Sequence, residues 1–144
     1  MRLKFSIVPL LTLFLFISPA LAGSISYGNA HVSRVRSVYD GDTFRCDIDG
    51  WPPVAGVNIS VRISGIDTPE KRGSSDRVKK LARAARDLTV RELGRAGEVE
   101  LRNIRRGKYF RLLAEVYVDG RSLADILIGS GLAKVYDGGT KPAW

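Results

Sequence analysis

Residues 57–66, with the sequence Val-Asn-Ile-Ser-Val-Arg-Ile-Ser-Gly-Ile, carry the clearest structural pattern in the chain. Apolar and polar residues alternate here, the apolar positions being Val57, Ile59, Val61 and Ile63. Because successive side chains of a strand point to opposite faces, this period of two predicts a β-strand with one face in the core. Arg62 lies on the opposite, polar face, so it is available for chemistry.

The segment before this strand predicts a β-hairpin. Residues 43–49 also alternate, with apolar side chains at Phe44, Cys46 and Ile48. Asp40-Gly41 is typical of a two-residue hairpin turn, so residues 31–39 are expected to form the partner strand. The valines in that partner are spaced by three residues, which indicates a bulge or a different boundary.

After residue 70 the apolar spacing changes to three and four residues, as in an amphipathic helix. We expect the helix to begin at Ser75 or Asp76, since either side chain can cap it. Its outward face is basic, with Lys79, Lys80, Arg83, Arg86 and Arg91. That face is either a solvated surface, which is the more common case, or a nucleic-acid patch.

Two further strands, at residues 97–104 and 111–118, and a short helix at 122–128 complete the predicted elements. This order is typical of an α+β, mainly β fold: a five-stranded Greek-key barrel of the oligonucleotide-binding (OB) type. The longer helix lies between strands 3 and 4, and the short helix follows strand 5. A sandwich with an added helix fits the same order of elements.

The N-terminus is typical of an export signal. Arg2 and Lys4 precede a 13-residue apolar run, and Ala20-Leu21-Ala22 supplies small residues for cleavage. That run is too short for a spanning helix, which needs about 20 apolar residues. We therefore expect a signal peptide at 1–22, a flexible lead-in at 23–30 and an exported protein, periplasmic or secreted, with no stable membrane association after signal removal.

Composition excludes several kinds of chemistry. One Cys and one His are too few for an ordinary zinc site, and a lone Cys forms no internal disulfide. Cys46 is expected to be a small buried hydrophobe, and His31 lies in the early, flexible part of the mature chain. Neither a Walker-type phosphate loop nor a dinucleotide glycine fingerprint is present.

Carboxylates and arginines therefore remain as the candidate catalytic groups. Asp40, Asp42, Asp67 and Glu70 lie beside predicted turns, and hard cations such as calcium prefer oxygen ligands of this kind. The simpler interpretation is that each is an ordinary turn residue, because Asp-Gly and Asp-Thr-Pro-Glu are common turn sequences.

Two arginines can supply the positive charge that phosphodiester chemistry requires. Arg62 is a charged residue within the clearest predicted strand, and Arg111 follows the basic and aromatic stretch Lys108-Tyr109-Phe110. Guanidinium groups can neutralise the negative charge that develops on a phosphate in the transition state. The alternative is that both arginines form surface ion pairs, each worth only about 0 to 1 kcal/mol.

These residues give the chain a resemblance to the staphylococcal nuclease (thermonuclease) family. The matching blocks keep the family's order over about residues 35–136, and they are Val38-Tyr39-Asp40-Gly41-Asp42-Thr43, Val61-Arg62-Ile63, Gly65-Ile66-Asp67-Thr68-Pro69-Glu70, Lys108-Tyr109-Phe110-Arg111-Leu112-Leu113-Ala114, Asp119-Gly120 and Gly131-Leu132-Ala133-Lys134-Val135. The resemblance implies a nuclease-like OB domain at 31–136, followed by an irregular tail at 137–144.

The resemblance also implies an activity: a calcium-dependent endonuclease that cleaves DNA and RNA with little sugar specificity and leaves 3'-phosphate ends. By position, the roles it implies are calcium ligation by Asp42, Asp67 and the Thr68 carbonyl, outer support from Asp40, water activation by Glu70, phosphate clamping by Arg62 and Arg111, and nucleotide contact by Lys108 and Tyr109.

Two departures from the family pattern bear directly on the candidate site. Family members often have glycine on each side of the second arginine, whereas Phe110 and Leu112 flank Arg111 here, so we expect a stiffer, bulkier loop. The family's base-stacking tyrosine is out of register, since Asp137 falls at that position and Tyr136 is one residue early.

A second functional hypothesis is a non-catalytic OB module that binds single-stranded nucleic acid. The formal charge is +8, and losing Arg2 and Lys4 with the signal leaves +6, which would make such binding salt-sensitive. A domain that binds other envelope proteins is the third possibility. We expect a monomer with DNA and RNA as partners, single-stranded or unpaired regions being preferred.

Overall fold

The computed structural model describes residues 25–72 and 74–144. Its elements, in chain order, are β1 (Ala30–Val38), β2 (Thr43–Ile48), α1 (Pro53–Gly56), β3 (Ile59–Ile63), β4 (Ile66–Asp67), α2 (Asp76–Arg95), β5 (Val99–Arg106), β6 (Leu112–Val118), β7 (Arg121–Ser122), α3 (Leu123–Gly129) and β8 (Lys134–Val135). No helix in the described part is long and apolar enough to cross a membrane. The expected signal at 1–22 lies outside the described residues.

Five strands close into a barrel. β1 pairs antiparallel with β2, and β2 with β3, while β3 pairs in parallel with β6. β6 pairs antiparallel with β5, which returns to β1 and closes the ring. The predicted mainly β, five-stranded OB-type barrel is therefore confirmed, with the longer helix α2 between barrel strands 3 and 4 and the short helix α3 after strand 5.

Alternating burial along the strands builds the barrel core. In β6 every second residue is buried, and the inward positions are Leu112, Ala114, Val116 and Val118. In β3 the inward residues Val61 and Ile63 are fully buried, as the period of two predicts. Cys46 is also fully buried, and burial raises the pKa of its thiol to about 12, which fits an inert core residue.

Two strand boundaries differ from the prediction. The stretch at 57–66 is interrupted at both ends: Val57 is 51% exposed and Asn58 has φ +53°, so β3 begins only at Ile59. The Asn58 amide donates to the Asp47 carboxylate at 2.8 Å, which stabilises this early turn. After Ser64, Gly65 turns the chain with φ +81°, and β4 begins there as a separate strand that pairs with β8.

The first hairpin also has a longer turn than the sequence predicts. β1 ends at Val38 and β2 begins at Thr43, so the two-residue turn is wrong and residues 39–42 form the connection. The Thr43 carbonyl accepts from the amides of Tyr39 and Asp40. The expected irregularity in β1 is present as two register shifts, between Val32 and Arg34 and between Val35 and Ser37.

The segment before β1 lies along β5. The Tyr27 amide donates to the Ile104 carbonyl at 2.7 Å, and the Ile104 amide donates to the Gly28 carbonyl at 3.0 Å. Within the predicted lead-in at 23–30, residues 27–30 are therefore held by the barrel, and His31 is part of β1. His31 Nδ1 lies 3.2 Å from the carboxylate of Glu98, which is not one of the candidate carboxylates.

Helix α2 begins directly after Ser75, one of the two predicted capping residues. The Ser75 hydroxyl accepts from the Val78 amide at 3.4 Å, so Ser75 is the N-cap. On the buried face, the Thr89 hydroxyl donates to the Gly41 carbonyl at 2.6 Å. Thr89 is fully buried, so this bond anchors the β1–β2 turn to the helix without competition from water.

We predict that Thr89→Val destabilises the protein by about 1 to 3 kcal/mol, because valine keeps the shape but leaves the buried Gly41 carbonyl without a donor. Urea unfolding measures the change. Thr89→Ser is the control, since it keeps the hydroxyl and loses one methyl group, and it should cost less than the valine variant. Equal stability of Thr89→Val and wild type would contradict this role.

Candidate active site

Arg62 joins two buried carboxylates. Its Nη1 donates to Asp42 Oδ1 at 2.8 Å and its Nη2 donates to Asp67 Oδ1 at 3.1 Å. Asp42 is 1% and Asp67 2% exposed, and the Arg62 side chain is 16% exposed. Three separate elements thus converge on one guanidinium: the turn before β2, strand β3 and strand β4.

Backbone pairing fixes the position of Asp42. Thr43 pairs with Arg62 across β2 and β3, and the Asp42 carbonyl accepts from the Ile63 amide at 2.8 Å. The side chain of Asp40 accepts from the Asp42 amide at 3.2 Å. The Thr43 hydroxyl donates to Asp42 Oδ1 at 2.8 Å. Asp42 therefore has little rotational freedom.

Close packing explains the glycine in this turn. A Cβ atom at Gly41 would lie 2.7 Å from the Ala85 Cβ and 2.9 Å from the Thr68 Cγ2. Thr68 is 3% exposed and follows Asp67 directly, so the turn, helix α2 and the end of β4 are in contact at this point. Asp42, Asp67 and Thr68 are thereby brought together, as the sequence predicts.

The electrostatics of Asp42 are unusual. Burial, together with the negative charge of Asp40, raises the pKa of the Asp42 carboxyl to about 7, although Arg62 and the Thr43 hydroxyl act in the opposite direction. Burial is the larger of these effects, because surroundings of low dielectric constant disfavour the charged form of a carboxyl group. Arg62 is shared with Asp67, which has a second cation, Lys141, at 3.4 Å.

The C-terminal tail covers the outer side of this carboxylate pair. Lys141 Nζ forms an ion pair with Glu70 and lies 3.4 Å from Asp67 Oδ1. The hydrogen bond to Glu70 raises the pKa of the Lys141 ammonium. Trp144 Nε1 donates to Asp67 Oδ2 at 3.3 Å. These four residues line a cleft of about 450 Å³, which we call the tail cleft.

Lys134 fastens the tail from the other side. Its ammonium donates to the Ala143 carbonyl at 2.5 Å and lies 4.6 Å from the centre of the Trp144 ring, a cation–π contact. Sequence reasoning did not single out Lys141 or Trp144. The tail has no apolar period and no motif, and its contact with Glu70 spans 71 residues, so local patterns carry no signal for it.

The second predicted arginine lies in a different place. Arg111 follows a tight loop in which the Gly107 amide donates to the Arg111 carbonyl at 2.7 Å. Arg111 and Thr43 line the same second cleft, and the Thr43 hydroxyl donates to Asp42. Arg111 Nε is buried and has no hydrogen-bond partner among the residues that the structure describes.

The loop before Arg111 presents two aromatic residues to solvent. Tyr109 and Phe110 are 89% and 86% exposed, with φ of +59° and +58°. Lys108 beside them is exposed as well. Phe110 therefore projects outward, whereas Leu112 is 1% exposed and belongs to the core of β6. Of the two expected bulky neighbours of Arg111, only Phe110 adds bulk to the loop surface.

Tyr136 is engaged within the tail. Its hydroxyl donates to the Gly139 carbonyl at 3.1 Å, and the Asp137 carboxylate accepts from the Gly139 amide at 3.1 Å. The residue at the expected stacking register is thus a turn-forming aspartate. Exposed aromatic side chains remain on the loop before Arg111, at Tyr109 and Phe110, and in the turn between β1 and β2, at Tyr39.

The donor set around Asp42 and Asp67 suits a hard divalent cation. Both carboxylates are buried, and every candidate ligand is oxygen. Within residues 25–72 and 74–144, however, no group of three or more His, Cys, Asp or Glu side chains is arranged to hold a metal ion. A cation here would need the Thr68 carbonyl and water as further ligands.

Comparison with known proteins identifies the family. A sequence profile described as staphylococcal nuclease homologue matches residues 60–142, which is more than half of the chain. This stretch includes Arg62, Asp67, Glu70 and Arg111. The chain belongs to the staphylococcal nuclease family, as its resemblance at the sequence level predicts.

Curated relatives of this chain carry nuclease names. The SPbeta prophage-derived endonuclease YokF of Bacillus subtilis (strain 168) is 38% identical over 109 residues, covering 71% of this chain and 34% of the relative. Endonuclease YncB of the same organism is 36% identical over 108 residues, covering 71% and 48%. Thermonuclease of Staphylococcus hyicus is 29% identical over 117 residues, covering 81% and 66%. This chain thus spans only about a third to a half of the two Bacillus relatives.

We predict that Phe110→Gly raises the free energy of unfolding by about 0.5 to 1 kcal/mol. A left-handed conformation costs a side-chain-bearing residue about 1 to 2 kcal/mol, and the greater freedom of glycine in the unfolded chain offsets only part of that gain. Urea unfolding measures the change. Phe110→Ala keeps the Cβ atom and serves as the control, with no comparable gain expected. A loss of stability in the glycine variant would show that the ring makes stabilising contacts.

We predict that Lys141→Met loosens the tail, because it removes both charge contacts that hold residue 141 against Glu70 and Asp67. In a Trp51→Phe background, fluorescence reports Trp144 alone, and acrylamide should quench it more strongly in the methionine variant. Lys80→Met, on the exposed face of α2, is the control with equal charge loss. Unchanged quenching in Lys141→Met would mean that Trp144 and Lys134 hold the tail unaided.

Proposed function

We propose that this protein is an exported, calcium-dependent endonuclease that hydrolyses phosphodiester bonds of DNA and RNA with little sugar specificity, leaving 3'-phosphate ends. The observation that carries the proposal is the convergence of Asp42, Asp67 and Arg62, with Glu70 beside Asp67 in the lining of the tail cleft. The names of the relatives support a nuclease.

Asp42, Asp67 and the Thr68 carbonyl are the proposed calcium ligands. Calcium held there would polarise a phosphate oxygen and neutralise part of its charge. The protein's own contribution is to fix the positions of these ligands. Asp40 accepts from the Asp42 amide and the Thr43 hydroxyl donates to the Asp42 carboxylate. Tight packing of Gly41 on Thr68 keeps the ligands close together. The carboxylates are thus preorganised, whereas Lys141 and Trp144 would have to release Asp67 and Glu70 for calcium and substrate to bind.

Arg62 and Arg111 are proposed to stabilise the negative charge that develops on the phosphate. Arg62 uses one donor each for Asp42 and Asp67, which leaves further N–H groups on its planar guanidinium for a phosphate oxygen. Arg111 has its Nε without a partner in the described part of the chain, so a bound phosphate can supply the missing acceptor.

Glu70 is the proposed general base. Its side chain is 61% exposed at the mouth of the tail cleft, where a water molecule can approach its carboxylate and lose a proton to it. Lys141, which pairs with Glu70, orients the carboxylate in the absence of substrate. Lys108 and Tyr109, both exposed, are proposed to contact the terminal phosphate and the nucleotide.

The proposed substrate is single-stranded or unpaired nucleic acid, and the proposed active form is a monomer outside the cytoplasm, periplasmic or secreted. The competing hypothesis is an OB module that binds single strands without cleaving them. The exposed aromatic pair Tyr109 and Phe110 would suit base stacking in either case. Cleavage is therefore the property that separates the two hypotheses.

We predict that the mature protein degrades single-stranded DNA with calcium and stops when a chelator is added. Glu70→Gln should lower kcat by about 10² to 10⁴, the usual contribution of a general base. Glu98→Gln is the matched control, because Glu98 has nearly the same exposure, 62% against 61%, and lies outside both clefts. Product length and end groups on a sequencing gel give the rates and the position of the phosphate.

Three results would contradict parts of this proposal. Cleavage that continues in the chelator would exclude calcium dependence, and full activity of Glu70→Gln would exclude this carboxylate as the base. Tight binding of the strand without cleavage in calcium would favour the OB binding module. Equal losses in Glu70→Gln and Glu98→Gln would indicate a general effect of charge.

A further inference from the structure

A second cleft, of about 590 Å³, lies beside the candidate active site along the first hairpin. Four of its lining residues are basic, namely Arg45, Lys71, Arg86 and Arg111, and we call it the basic cleft. None of its lining residues is an aspartate or glutamate. A concave surface of one charge sign concentrates counter-ions, so the basic cleft is suited to an anion.

The arginines of the basic cleft are oriented by uncharged partners. Arg45 Nη1 donates to the Asn58 carbonyl at 2.8 Å, and Arg86 Nε donates to the Val38 carbonyl at 3.1 Å. Carbonyl acceptors fix the side chains but leave their positive charge uncompensated. In the described part of the chain, the only carboxylate within 4.0 Å of the Arg86 guanidinium is that of Asp87, at 3.8 Å and 73% exposed, which makes a weak ion pair.

The basic cleft continues into the candidate active site. Thr43 lines it and bonds to Asp42, and Arg111, proposed above to bind the scissile phosphate, forms part of its wall. Tyr39, whose amide donates to the Thr43 carbonyl, also lines the cleft and is 77% exposed, which leaves its ring free to stack on a base. A groove with cations along its wall and an aromatic ring at its edge is typical of single-strand binding.

We propose that the basic cleft binds the backbone phosphate next to the scissile one in a single-stranded nucleic acid, with the adjacent base on Tyr39. This subsite rests on the proposed function, since it takes Arg111 as the point where the scissile phosphate lies. Arg45, Lys71 and Arg86 bind the strand and take no part in bond breaking. They determine the length of strand that the enzyme prefers.

The test compares a dinucleoside monophosphate, whose single phosphate is the scissile one, with a 12-residue oligothymidylate. In Arg45→Gln and Lys71→Gln, KM for the longer strand should rise about five- to tenfold with kcat unchanged. The value of kcat/KM for the dinucleoside monophosphate should stay at that of the wild type. Each lost phosphate contact should also lower the salt dependence of oligothymidylate binding by about 0.7 in the log–log slope. Lys71 is exposed, so its variant is expected to fold normally even if the arginine variant does not.

Arg83→Gln is the matched control for Arg86→Gln. Both residues are on α2 and both variants lose one positive charge, but Arg83 is exposed and outside the basic cleft. A KM that rises for oligothymidylate in Arg86→Gln and not in Arg83→Gln supports the subsite. Equal KM values in all variants, with cleavage intact, would overturn the subsite and leave the proposed nuclease standing.

A failure of the proposed function gives a different result. If the wild type cleaves neither substrate, the fluorescence anisotropy of labelled oligothymidylate with chelator present still measures strand binding. Weaker binding in Arg45→Gln and Lys71→Gln than in Arg83→Gln would then support the basic cleft as a strand-binding surface. Identical affinity in all three variants would exclude it.

Discussion

The contact of one guanidinium with two buried carboxylates is the interaction on which the site depends. Arg62 is the link between the turn that holds Asp42 and the short strand that holds Asp67. Removing one partner from such a buried group typically costs about 3 to 5 kcal/mol, because the remaining charge is left without compensation. The same contact thus stabilises the junction of three elements. It also determines the charge balance at the site where catalysis is proposed.

Much of this arrangement can be predicted from the sequence, for reasons that differ from part to part. The barrel strands are predictable because one face of each is buried, so the period of two is imposed on residues such as Val61 and Ile63. Asp42, Arg62 and Asp67 are predictable because they lie in or beside turns and strands of one short stretch, where strand pairing brings them together. Glu70 is a candidate on the same grounds, and the family resemblance adds the Thr68 carbonyl.

The parts that the sequence does not predict are those that depend on contacts between distant segments. The longer first turn arises because the Thr43 carbonyl accepts two amides, a local geometry that Asp-Gly alone does not specify. The tail reaches Asp67 through Lys141 and Trp144, and neither residue belongs to a periodic pattern. The basic cleft similarly joins Arg45 on β2 with Arg86 on α2, and only the folded barrel brings these side chains together.

The parallel pairing of β3 with β6 has a consequence for how the site forms. Arg62 and the segment that begins at Arg111 are joined by a connection that includes α2 and β5, so the two arginines approach each other only after the ring of strands has closed. Contacts between segments far apart in sequence carry a large entropy cost and form late in folding. A partly folded chain would therefore not bring the Arg111 segment beside β3, and the proposed phosphate chemistry would be restricted to the completed native state.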